Sequence, residues 1–415
     1  MRIAVISDCH LGHAYGTVLE NDSFENFEEA MDRVIDADVD LIVLGGDTFD
    51  SRAPRTKVWA KTMHILTKPL LKEQKVKFVE SDKILKEISR RTLNHLPVIA
   101  LHGNHERRSK EDLNVVEALE NAGLLIYLNA NSVVFEKDGV KVAIHGMSNV
   151  PERYAKENLK KWNPRLVNDC FNILVLHQSF EGFFYSPLDA PSISLDDLPE
   201  GFDLILDGHI HQHGTLKSRN TPLYTLGSTV VTQLDARESL IEKGFLIIEV
   251  GKKLNVNFIP LQKNRKFVYD EIKVSPGLMV RDQIEKKISE LVYKKKSDKP
   301  PLVKLKISGD QNVVSETDLR SIERKYEEKA VIIFSRDFET PDVVEKTEII
   351  RGMLENKQSV EEIGLNVLRK NLDELKFDNI IDFETLFHLL LDGESERAFN
   401  ILTGEQRTLS QIMKK

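Results

Sequence analysis

The sequence predicts a two-layer β sandwich flanked by helices, followed by a small α+β domain and a helical segment near the carboxyl end. Three observations support this α/β fold class. Apolar runs of strand length alternate with helical stretches through residues 1–250, a second strand and helix series occupies residues 254–335, and one apolar helical stripe lies beyond residue 380. The chain has 415 residues, of which 41% are apolar and 30% charged, so two or three folded domains are expected.

Five apolar runs in the first domain, residues 1–253, are predicted to be its central strands. These runs are 3–6, 41–44, 98–101, 173–176 and 204–206. Helices are predicted at 23–36, 55–72, 82–93 and 111–122, because apolar residues recur there at helical spacing. Later strands are predicted around 133–135, 140–144, 223–226 and 245–250. Helices between strands, followed by further strands, favour two packed sheets covered by helices.

Residues 254–335 are predicted to form a smaller domain with its own core. The predicted order is strand 267–274, helix 280–292, strand 302–307, helix 316–328 and strand 330–334. Residues 251–335 carry 19 basic and 12 acidic side chains, in a chain whose net charge is −8. This local excess of positive charge suits either a phosphate-facing surface or a solvated lysine-rich face.

The pattern changes again beyond the second domain. Residues 336–377 are predicted to be a polar linker, and residues 378–415 a helical segment with a second short helix at 394–402. The first helix of that segment has one apolar stripe, formed by Phe383, Leu386, Phe387, Leu390 and Leu391. Such a stripe could fold back on the core or dock into the groove of a partner protein.

Each central strand of the first domain ends in a short polar block. Strand ends on a layered sheet converge in space, so the blocks would bring seven nitrogen and oxygen ligands together. These ligands are Asp8, His10, Asp47, Asn104, His177, His209 and His211. Seven ligands suffice for two metal ions that share a carboxylate, and Asp47, which follows two glycines, suits the shared position. One such block is more often a capped turn, but five in this order predict a metal site.

Two metal ions at one site serve the hydrolysis of phosphate esters. Ions roughly 3.5–4 Å apart lower the pKa of a bound water and clamp the phosphate. Imidazole, amide and carboxylate ligands together suit Mn²⁺, iron or Zn²⁺ better than Ca²⁺. His105 follows Asn104 and is not needed as a ligand, so it is predicted to donate a proton to the leaving group or to stabilise the transition state.

These motifs resemble the calcineurin-like metallophosphoesterase superfamily, whose signature is Asp-x-His, Gly-Asp, Gly-Asn-His-(Asp/Glu), His and Gly-His-x-His. Within it the chain is most similar to the Mre-eleven and SbcD type of DNA double-strand-break repair nuclease. The stretches that carry the likeness are 7–12, 45–49, 103–106, 144–147, 174–178, 197–201, 208–211 and 227–228. The likeness covers about residues 1–250, and beyond them only the order of domains is similar.

The resemblance implies a ligand set, a catalytic residue and a reaction. One Mn²⁺ would be held by Asp8, His10, Asp47 and His211. The other would be held by Asp47, Asn104, His177 and His209, with His105 acting on the transition state. The implied reaction is manganese-dependent cleavage of DNA, as a 3′→5′ exonuclease and as an endonuclease on duplex ends and hairpins, in the repair of double-strand breaks.

The resemblance also implies partners. The family dimerises through helices of the phosphoesterase domain, carries a small capping domain, and binds a coiled-coil ABC-type ATPase of the Rad-fifty type through a C-terminal helical segment. Residues 254–335 match the capping domain in position, and the apolar stripe after the linker matches the partner-binding segment. Basic residues at the start of the capping domain are predicted to contact DNA phosphates, namely Lys252, Lys253, Lys263, Arg265 and Lys266.

Two residues near the predicted site depart from the family pattern, and one of them is His13, which follows His-Leu-Gly where the family often has tyrosine. Asp50 stands where many members have histidine or asparagine after Gly-Asp-x-Phe. A carboxylate there would repel an entering phosphate unless a metal ion or a basic side chain pairs with it. The surroundings of Asp50 therefore bear directly on exonuclease action.

Two other functions fit part of the sequence. A calcineurin-like phosphodiesterase or phosphatase acting on a small molecule would use the same ligands, but would not need the second domain and the helical tail. A non-catalytic DNA-binding subunit on the same fold would have lost ligands that this chain retains.

The cysteine content and the lengths of the apolar runs bear on where the protein works. The chain has two cysteines, Cys9 and Cys170, and no apolar run near the roughly 20 residues that span a bilayer. We therefore expect an intracellular, DNA-associated protein, in the cytoplasm and nucleoid or in the nucleus, without a membrane partner. Cys9 lies between two predicted ligands, but its side chain should point to the opposite face of the extended backbone.

Overall fold

The structure, a computed structural model, describes residues 1–84, 88–108, 112–180, 193–274, 280–293, 299–309, 314–337, 360–374, 382–391 and 394–403. Its strands are β1 (Arg2–Ile6), β2 (Leu41–Leu44), β3 (Lys77–Ser81), β4 (Val98–Ala100), β5 (Ile126–Tyr127), β6 (Asn131–Lys137), β7 (Val140–Met147), β8 (Phe171–Leu176), β9 (Leu204–Asp207), β10 (Gly214–Ser218), β11 (Thr221–Thr225), β12 (Gly244–Glu249), β13 (Asn255–Pro260), β14 (Phe267–Val274), β15 (Leu302–Gly309) and β16 (Val331–Asp337). Its helices are α1 (Asp22–Asp36), α2 (Thr56–Leu66), α3 (Arg90–Leu93), α4 (Val115–Asn121), α5 (Glu152–Trp162), α6 (Val280–Tyr293), α7 (Glu316–Tyr326), α8 (Val360–Glu374), α9 (Phe383–Leu391) and α10 (Ser395–Thr403).

Two sheets packed face to face form the first domain. One has the strand order β13-β12-β1-β2-β4-β5 and the other β10-β11-β9-β8-β7-β6-β3. A single apolar cluster joins their inner faces, with Val5 and Val43 from the first sheet and Ile144 and Ile173 from the second. Two further clusters pack α1, α2 and α4 on the outside of the first sheet and α5 on the outside of the second. The predicted two-layer sandwich flanked by helices is confirmed.

The direction of the central strands brings their carboxyl ends to one edge of the sandwich. In the first sheet β1, β2 and β4 are parallel, with Val5 opposite Val43 and Val43 opposite Ile99. In the second sheet β7, β8 and β9 are parallel as well. A hydrogen bond from the end of β8 to the end of β2, between His177 Nδ1 and the Gly45 carbonyl at 2.7 Å, joins the two sheets at this edge.

The small domain (residues 267–337, as far as they are described) has a parallel three-stranded sheet with the order β14-β15-β16. Its elements follow the predicted order of strand, helix, strand, helix and strand. Residues of α6 and α7, such as Ile284 and Ile322, pack on Val303 and Leu305 of the central strand in a separate apolar cluster. The small domain therefore has a core of its own.

Two stretches differ from the sequence prediction. A helix was expected over residues 82–93, but the described residues there contain only the four-residue α3, and the preceding residues form β3. Alternation in Lys77–Ser81 suits an edge strand with charged side chains, and β3 pairs antiparallel with β6. The helix expected over 55–72 stops at Leu66 and a 3-10 turn follows at Pro69–Leu71, since proline does not continue an α-helix.

The carboxyl-terminal part is more helical than predicted. Residues 336–377 were expected to be a linker, yet Arg336 and Asp337 end β16 and α8 lies inside this range. Residues 338–359 and 375–377 of the predicted linker lie outside the described residues. Both helices expected in 378–415 are present as α9 and α10, while 378–381, 392–393 and 404–415 are not described. None of the described helices is long and apolar enough to cross a lipid bilayer.

Candidate metal centre

The five polar blocks meet at the edge where the strands end. Asp8 and His10 follow β1, Asp47 follows β2, and Asn104 with His105 follows β4; His177 follows β8, and His209 with His211 follows β9. Backbone hydrogen bonds hold neighbouring blocks together, from Asp8 N to the Gly46 carbonyl at 3.0 Å and from His10 N to the Asp47 carbonyl at 3.0 Å. The convergence follows from strand direction.

The first group of candidate ligands contains Asp8, His10 and His211, all buried. One ligand atom from each lies within 4.8 Å of the other two. His211 Nε2 is 3.5 Å from Asp8 Oδ1 and 3.1 Å from His10 Nε2. Three donor atoms thus face one small volume.

A second group contains Asp47, His177 and His209, again with their ligand atoms within 4.8 Å of one another. His177 Nε2 lies 3.3 Å from Asp47 Oδ2, and Asn104 Oδ1 lies 3.0 Å from His209 Nδ1. Asp47 also groups with His10 and His105 within the same limit. Asp47 therefore stands between the two groups, which is the geometry a shared carboxylate needs.

These side chains fit divalent metal ions. In the described part of the chain, Asp8 Oδ1 and His177 Nε2 are buried without a hydrogen-bond partner. The nearest charged side-chain atoms are His211 Nε2, 3.5 Å from Asp8 Oδ1, and Asp47 Oδ2, 3.3 Å from His177 Nε2. Buried polar atoms are nearly always paired, so atoms left in this state indicate an ion as their partner. Imidazole nitrogens and carboxylate oxygens together suit Mn²⁺, iron or Zn²⁺.

The backbone of the site adopts conformations that L-residues rarely take. Four candidate ligands have positive φ angles, namely Asp8 (50°), His10 (45°), Asp47 (46°) and His209 (69°). They are four of the eleven such non-glycine residues in the described ranges. Each conformation costs on the order of 1–3 kcal/mol and persists where the surroundings hold it in place. Here His209 N donates to Asp8 Oδ2 at 3.2 Å, so one ligand fixes the backbone of another.

Glycine is required at two positions because backbone and ligand approach closely there. A Cβ atom at Gly103 would overlap Asp47 Oδ1, and one at Gly208 would overlap the Gly45 carbonyl. The Gly-Asn-His and Gly-His-x-His motifs therefore begin with glycine for a steric reason.

The buried carboxyl groups and imidazoles of the site shift one another's pKa values. Burial raises the pKa of the Asp47 carboxyl, but the charge and contact of His177, with the charges of His10 and His105, together hold this pKa well below its usual range. For His177, burial lowers the pKa, but Asp47 and Asp8 together raise it to about 10. Burial and then His177 lower the pKa of His209 to about 4. The carboxylates are thus ionised and His209 is neutral, which is the form of imidazole that binds metals. His177 carries a proton at neutral pH, and a metal ion bound at its Nε2 would displace that proton.

His105 differs from the ligands in its exposure, since 41% of its side chain is accessible to solvent. Its backbone N donates to Asp47 Oδ1 at 2.9 Å, and its Nδ1 lies 3.1 Å from the Asp50 carbonyl. With Nδ1 on that carbonyl, Nε2 is the ring nitrogen left for a substrate. The structure therefore places His105 at the open side of the candidate metal centre.

Asp50 has the basic partners that the sequence analysis required of it. Its Oδ1 is 3.1 Å from His10 Nδ1, 3.6 Å from His13 Nδ1 and 3.9 Å from His105 Nδ1. Burial raises the pKa of Asp50, but its contacts with His10 and His13 lower it well below its usual range. His13 was not among the candidate site residues; its place directly after His-Leu-Gly was the available signal. The negative charge of Asp50 is thus largely shared with histidines.

Three residues outside the candidate set support the ligands, and of these only Glu106, which follows Gly-Asn-His, carried a sequence signal. Thr232 Oγ1 lies 3.0 Å from His211 Nδ1, Asn149 Nδ2 donates to the His177 carbonyl at 2.9 Å, and Glu106 accepts from Phe49 N and Gly103 N. Burial followed by the charge of Asp47 raises the pKa of Glu106 to about 8. The side chain of Cys9 lies in the apolar cluster beneath α1, away from the ligands as expected.

Two of the basic residues predicted to contact DNA lie far from the metal centre. Lys252 and Lys253 lie in the turn between β12 and β13, and Arg2 at the start of β1 is opposite Glu249 at the end of β12. That turn is therefore at the edge of the sheet opposite to the candidate ligands. Lys263 and Lys266 are exposed between β13 and β14.

Arg265 has a different environment from the neighbouring lysines. Its guanidinium donates to both oxygens of Asp22, at 2.5 and 3.0 Å, and to the Pro300 carbonyl at 2.5 Å. Only 13% of the side chain is accessible. Arg265 thus ties the start of the small domain to α1.

The predicted partner-binding stripe lies on α9. Some of its side chains pack within this chain and others are exposed to solvent. Leu386 is buried, and the ring of Phe387 packs closely against Gly364 of α8. Leu390 and Leu391 are 58% and 48% exposed. Phe383 is half-buried. Part of the stripe therefore packs within this chain and part remains accessible.

Comparison with known proteins adds independent information. The model of the calcineurin-like phosphoesterase family matches residues 1–213. Double-strand break repair protein MRE11 of Oryza sativa subsp. indica is 27% identical over 468 residues, covering 96% of this chain and 64% of that protein. The protein of the same name from Mus musculus is 27% identical over 303 residues, covering 65% of this chain and 42% of its own length. This chain thus spans less than two thirds of these relatives.

Among solved structures, a dimetal phosphatase from Danio rerio aligns with a TM-score of 0.36 and 12% identity, over 62% of this chain and 95% of that one. The family match is the stronger finding, because it covers half of the chain and includes every candidate ligand from Asp8 to His211. The chain belongs to the calcineurin-like phosphoesterase family.

Proposed function

We propose that this protein is a manganese-dependent DNA nuclease with two metal ions, acting at double-strand breaks. The observation that carries the proposal is the convergence of six nitrogen and oxygen ligands around a seventh, Asp47, with the exposed His105 beside them. Similarity to double-strand break repair proteins over as much as 96% of this chain supports DNA as the substrate. The proposed reaction is 3′→5′ exonuclease and endonuclease cleavage at duplex ends and hairpins.

The proposed ligands divide into two sets that share Asp47. Asp8, His10 and His211 with Asp47 would hold one Mn²⁺, and Asn104, His177 and His209 with Asp47 would hold the other. When bound, the pair of ions would supply an activated water and neutralise charge on the phosphate. The His177 Nδ1 contact with the Gly45 carbonyl fixes that ring so that Nε2 faces Asp47.

His105 is the proposed catalytic side chain. Its contact with the Asp50 carbonyl orients the ring, and its exposure lets Nε2 reach a phosphate that enters the site. Proton donation to the leaving oxygen from this position would contribute about 10²–10⁴-fold to the rate. His10 and His13 hold the nearby Asp50 carboxylate, which reduces its repulsion of the DNA phosphate.

The test is cleavage of linear duplex and hairpin DNA with Mn²⁺, measured beside hydrolysis of bis-p-nitrophenyl phosphate. We expect His105→Ser to lower DNA cleavage by about 10²–10⁴-fold, and His64→Ser, on the exposed face of α2, to leave it unchanged. Hydrolysis of the small diester with DNA untouched, with or without the ATPase partner and ATP, would favour a small-molecule phosphodiesterase. Inactivity on both substrates would favour a non-catalytic DNA-binding subunit.

The proposed partner of α9 is a coiled-coil ABC-type ATPase of the Rad-fifty type. The accessible Leu390 and Leu391 would provide the apolar contact. Deleting residues 378–415, or changing both leucines to serine, should abolish ATPase binding and leave hydrolysis of the small diester intact. Leu166→Ser, which changes an exposed leucine of the first domain, is the matched control. Unchanged ATPase binding after the deletion would rule out this partner surface.

A homodimer formed through helices of the first domain, and an intracellular site of action on DNA, complete the proposal. Met63 on α2 is exposed and is a candidate contact between subunits. Light scattering of the wild-type protein and of Met63→Glu would test the dimer, which should dissociate in the variant because a carboxylate would be buried at the interface.

A further inference from the structure

The segment between β11 and β12 contacts both the candidate metal centre and the small domain. We call residues 228–243 the coupling loop. At its start, Ser228 N donates to the His211 carbonyl at 3.2 Å and Thr229 N to the Asp8 carbonyl at 3.3 Å. The loop thus begins against two candidate ligands of the same ion.

Thr232 connects this loop to the side chain of His211. Its hydroxyl lies 3.0 Å from His211 Nδ1, while Nε2 of the same ring faces Asp8 and His10. A histidine that binds a metal through Nε2 carries its proton on Nδ1 and needs an acceptor there. The Thr232 oxygen is placed to accept that proton and so to fix the orientation of the ring.

A buried ion pair holds Thr232 in position. Glu238 accepts from the backbone of Thr232 at 3.3 Å and of Gln233 at 2.6 Å. Lys243 donates to Glu238 Oε1 at 2.6 Å and to Ser228 Oγ at 2.7 Å, and both charged side chains are almost fully buried. These bonds tie the backbone around Thr232 to the buried ion pair.

The small domain contacts the same loop two residues beyond Thr232. Lys304, on the central strand β15, donates from Nζ to the Leu234 carbonyl at 2.7 Å. Lys306 lies on the same face of β15 and pairs instead with Asp337 of the small domain at 2.6 Å. The two lysines are thus a matched pair, since one reaches the coupling loop and the other does not.

We propose that the coupling loop transmits the position of the small domain to His211, so that docking of Lys304 on Leu234 raises the affinity of the metal ion that His211 binds. Lys304 and Thr232 are positioning residues in this scheme, because neither touches the reacting atoms. The proposal rests on the two-metal centre proposed above. It makes metal retention depend on whether the small domain is seated on the first domain.

The test is direct titration of the metal-free, full-length protein with Mn²⁺, in which the electron paramagnetic resonance of free Mn²⁺ reports binding without any substrate. Thr232→Val should weaken one of the two Mn²⁺ sites by about 10–100-fold, as loss of a hydrogen bond to a metal-binding histidine does. Lys304→Met should weaken the same site by about threefold to tenfold. Lys306→Met should leave both affinities unchanged.

A double variant shows whether Lys304 affects Mn²⁺ binding through Thr232 or independently of it. If Lys304 acts through Thr232, the Thr232→Val and Lys304→Met changes together should weaken Mn²⁺ binding no more than Thr232→Val alone. The coupling would be overturned if the fold-losses of Mn²⁺ affinity in the two single variants multiplied in the double variant. It would also be overturned if Lys304→Met and Lys306→Met weakened Mn²⁺ binding equally. Wild-type affinity in Lys304→Met would overturn it as well. Failure of the wild-type protein to bind Mn²⁺ would instead overturn the metal centre, and this inference with it. Thermal unfolding of each metal-free variant shows that the protein has folded.

Discussion

The metal edge of the first domain and the core of the small domain are both built on parallel strands, yet they bury different side chains. At the metal edge, Asp8, Asp47 and several histidines are buried at the strand ends. In the small domain the buried cluster is apolar, and its ion pairs, such as Lys287 with Asp270, lie at the surface. One region is arranged to receive a ligand and the other to be stable without one.

The difference shows where this fold accepts unfavourable local structure. At the metal edge, four candidate ligands have left-handed backbone conformations, and two ligand atoms, Asp8 Oδ1 and His177 Nε2, are buried without a hydrogen-bond partner. Each is costly in the absence of an ion. Metal binding should therefore stabilise the first domain selectively, whereas the small domain should respond mainly to changes in apolar packing.

The largest expected effect is the loss of catalysis when the shared carboxylate is removed. Asp47→Asn should lower hydrolysis of bis-p-nitrophenyl phosphate on the order of 10³-fold, because metal ions supply several kcal/mol of transition-state stabilisation. Rates with saturating Mn²⁺ measure this. Nearly wild-type activity would show that Asp47 does not bind both ions.

The matching change in the small domain should affect stability and leave the number of bound Mn²⁺ ions unchanged. Ile284→Ala removes a fully buried side chain of α6 and should cost about 2–5 kcal/mol, while Ile284→Val should cost about 0.5–1.5 kcal/mol. Urea denaturation followed by circular dichroism measures the loss. If Ile284→Ala instead lowered the number of Mn²⁺ ions bound at saturation, the core of the small domain would contribute to the metal centre beyond the Lys304 contact with Leu234.

Addition of Mn²⁺ should stabilise the first domain more than the small domain. Mn²⁺ at about one hundred times its dissociation constant should stabilise the first domain by about 2.7 kcal/mol. Hydrogen exchange should show the added protection at the ends of β1, β2, β8 and β9, and not in β14 to β16. Asp47→Asn should remove the effect, and uniform protection of both domains would contradict the contrast.

The smallest expected effect concerns the junction between the regions. Arg265→Met should destabilise the attachment of the small domain by about 1–3 kcal/mol, since a largely buried, charge-assisted contact with Asp22 is lost. Lys263→Met, at an exposed neighbour, should change stability by less than about 0.5 kcal/mol. Urea denaturation compares the two variants.

The same pair of variants distinguishes a tether from a DNA contact. If Arg265→Met left stability unchanged but lowered the salt dependence of DNA binding by about one unit of slope, Arg265 would be a phosphate contact. The ion pair with Asp22 favours the tether.

Much of the fold and of the site was predictable from local patterns. Apolar runs ending in Asp-x-His, Gly-Asp, Gly-Asn-His and Gly-His-x-His indicate strand ends, and parallel strands bring such ends together whatever the loops between them do. The candidate ligands are therefore gathered as expected. Of the predicted helix over 82–93, the described residues form only α3, whose start is fixed by the Ser89 side chain, which accepts a hydrogen bond from Arg91 N.

Other features depended on contacts between distant parts of the chain. The composition of residues 251–335 could not show that Arg265 pairs with Asp22, or that Lys252 and Lys253 lie at the far edge of the sheet. Nothing near position 50 indicates that three histidines surround Asp50.

Residue type and periodicity therefore settle which side chains can bind a metal and which strand ends carry them. The packing of the folded chain decides which residues contact the ligands from behind, as Thr232 contacts His211. It also decides where the two domains touch, as Lys304 does at Leu234. The physical reason is range: periodicity reflects interactions over a few residues, whereas these contacts join positions that come together only when sheets, loop and small domain have packed.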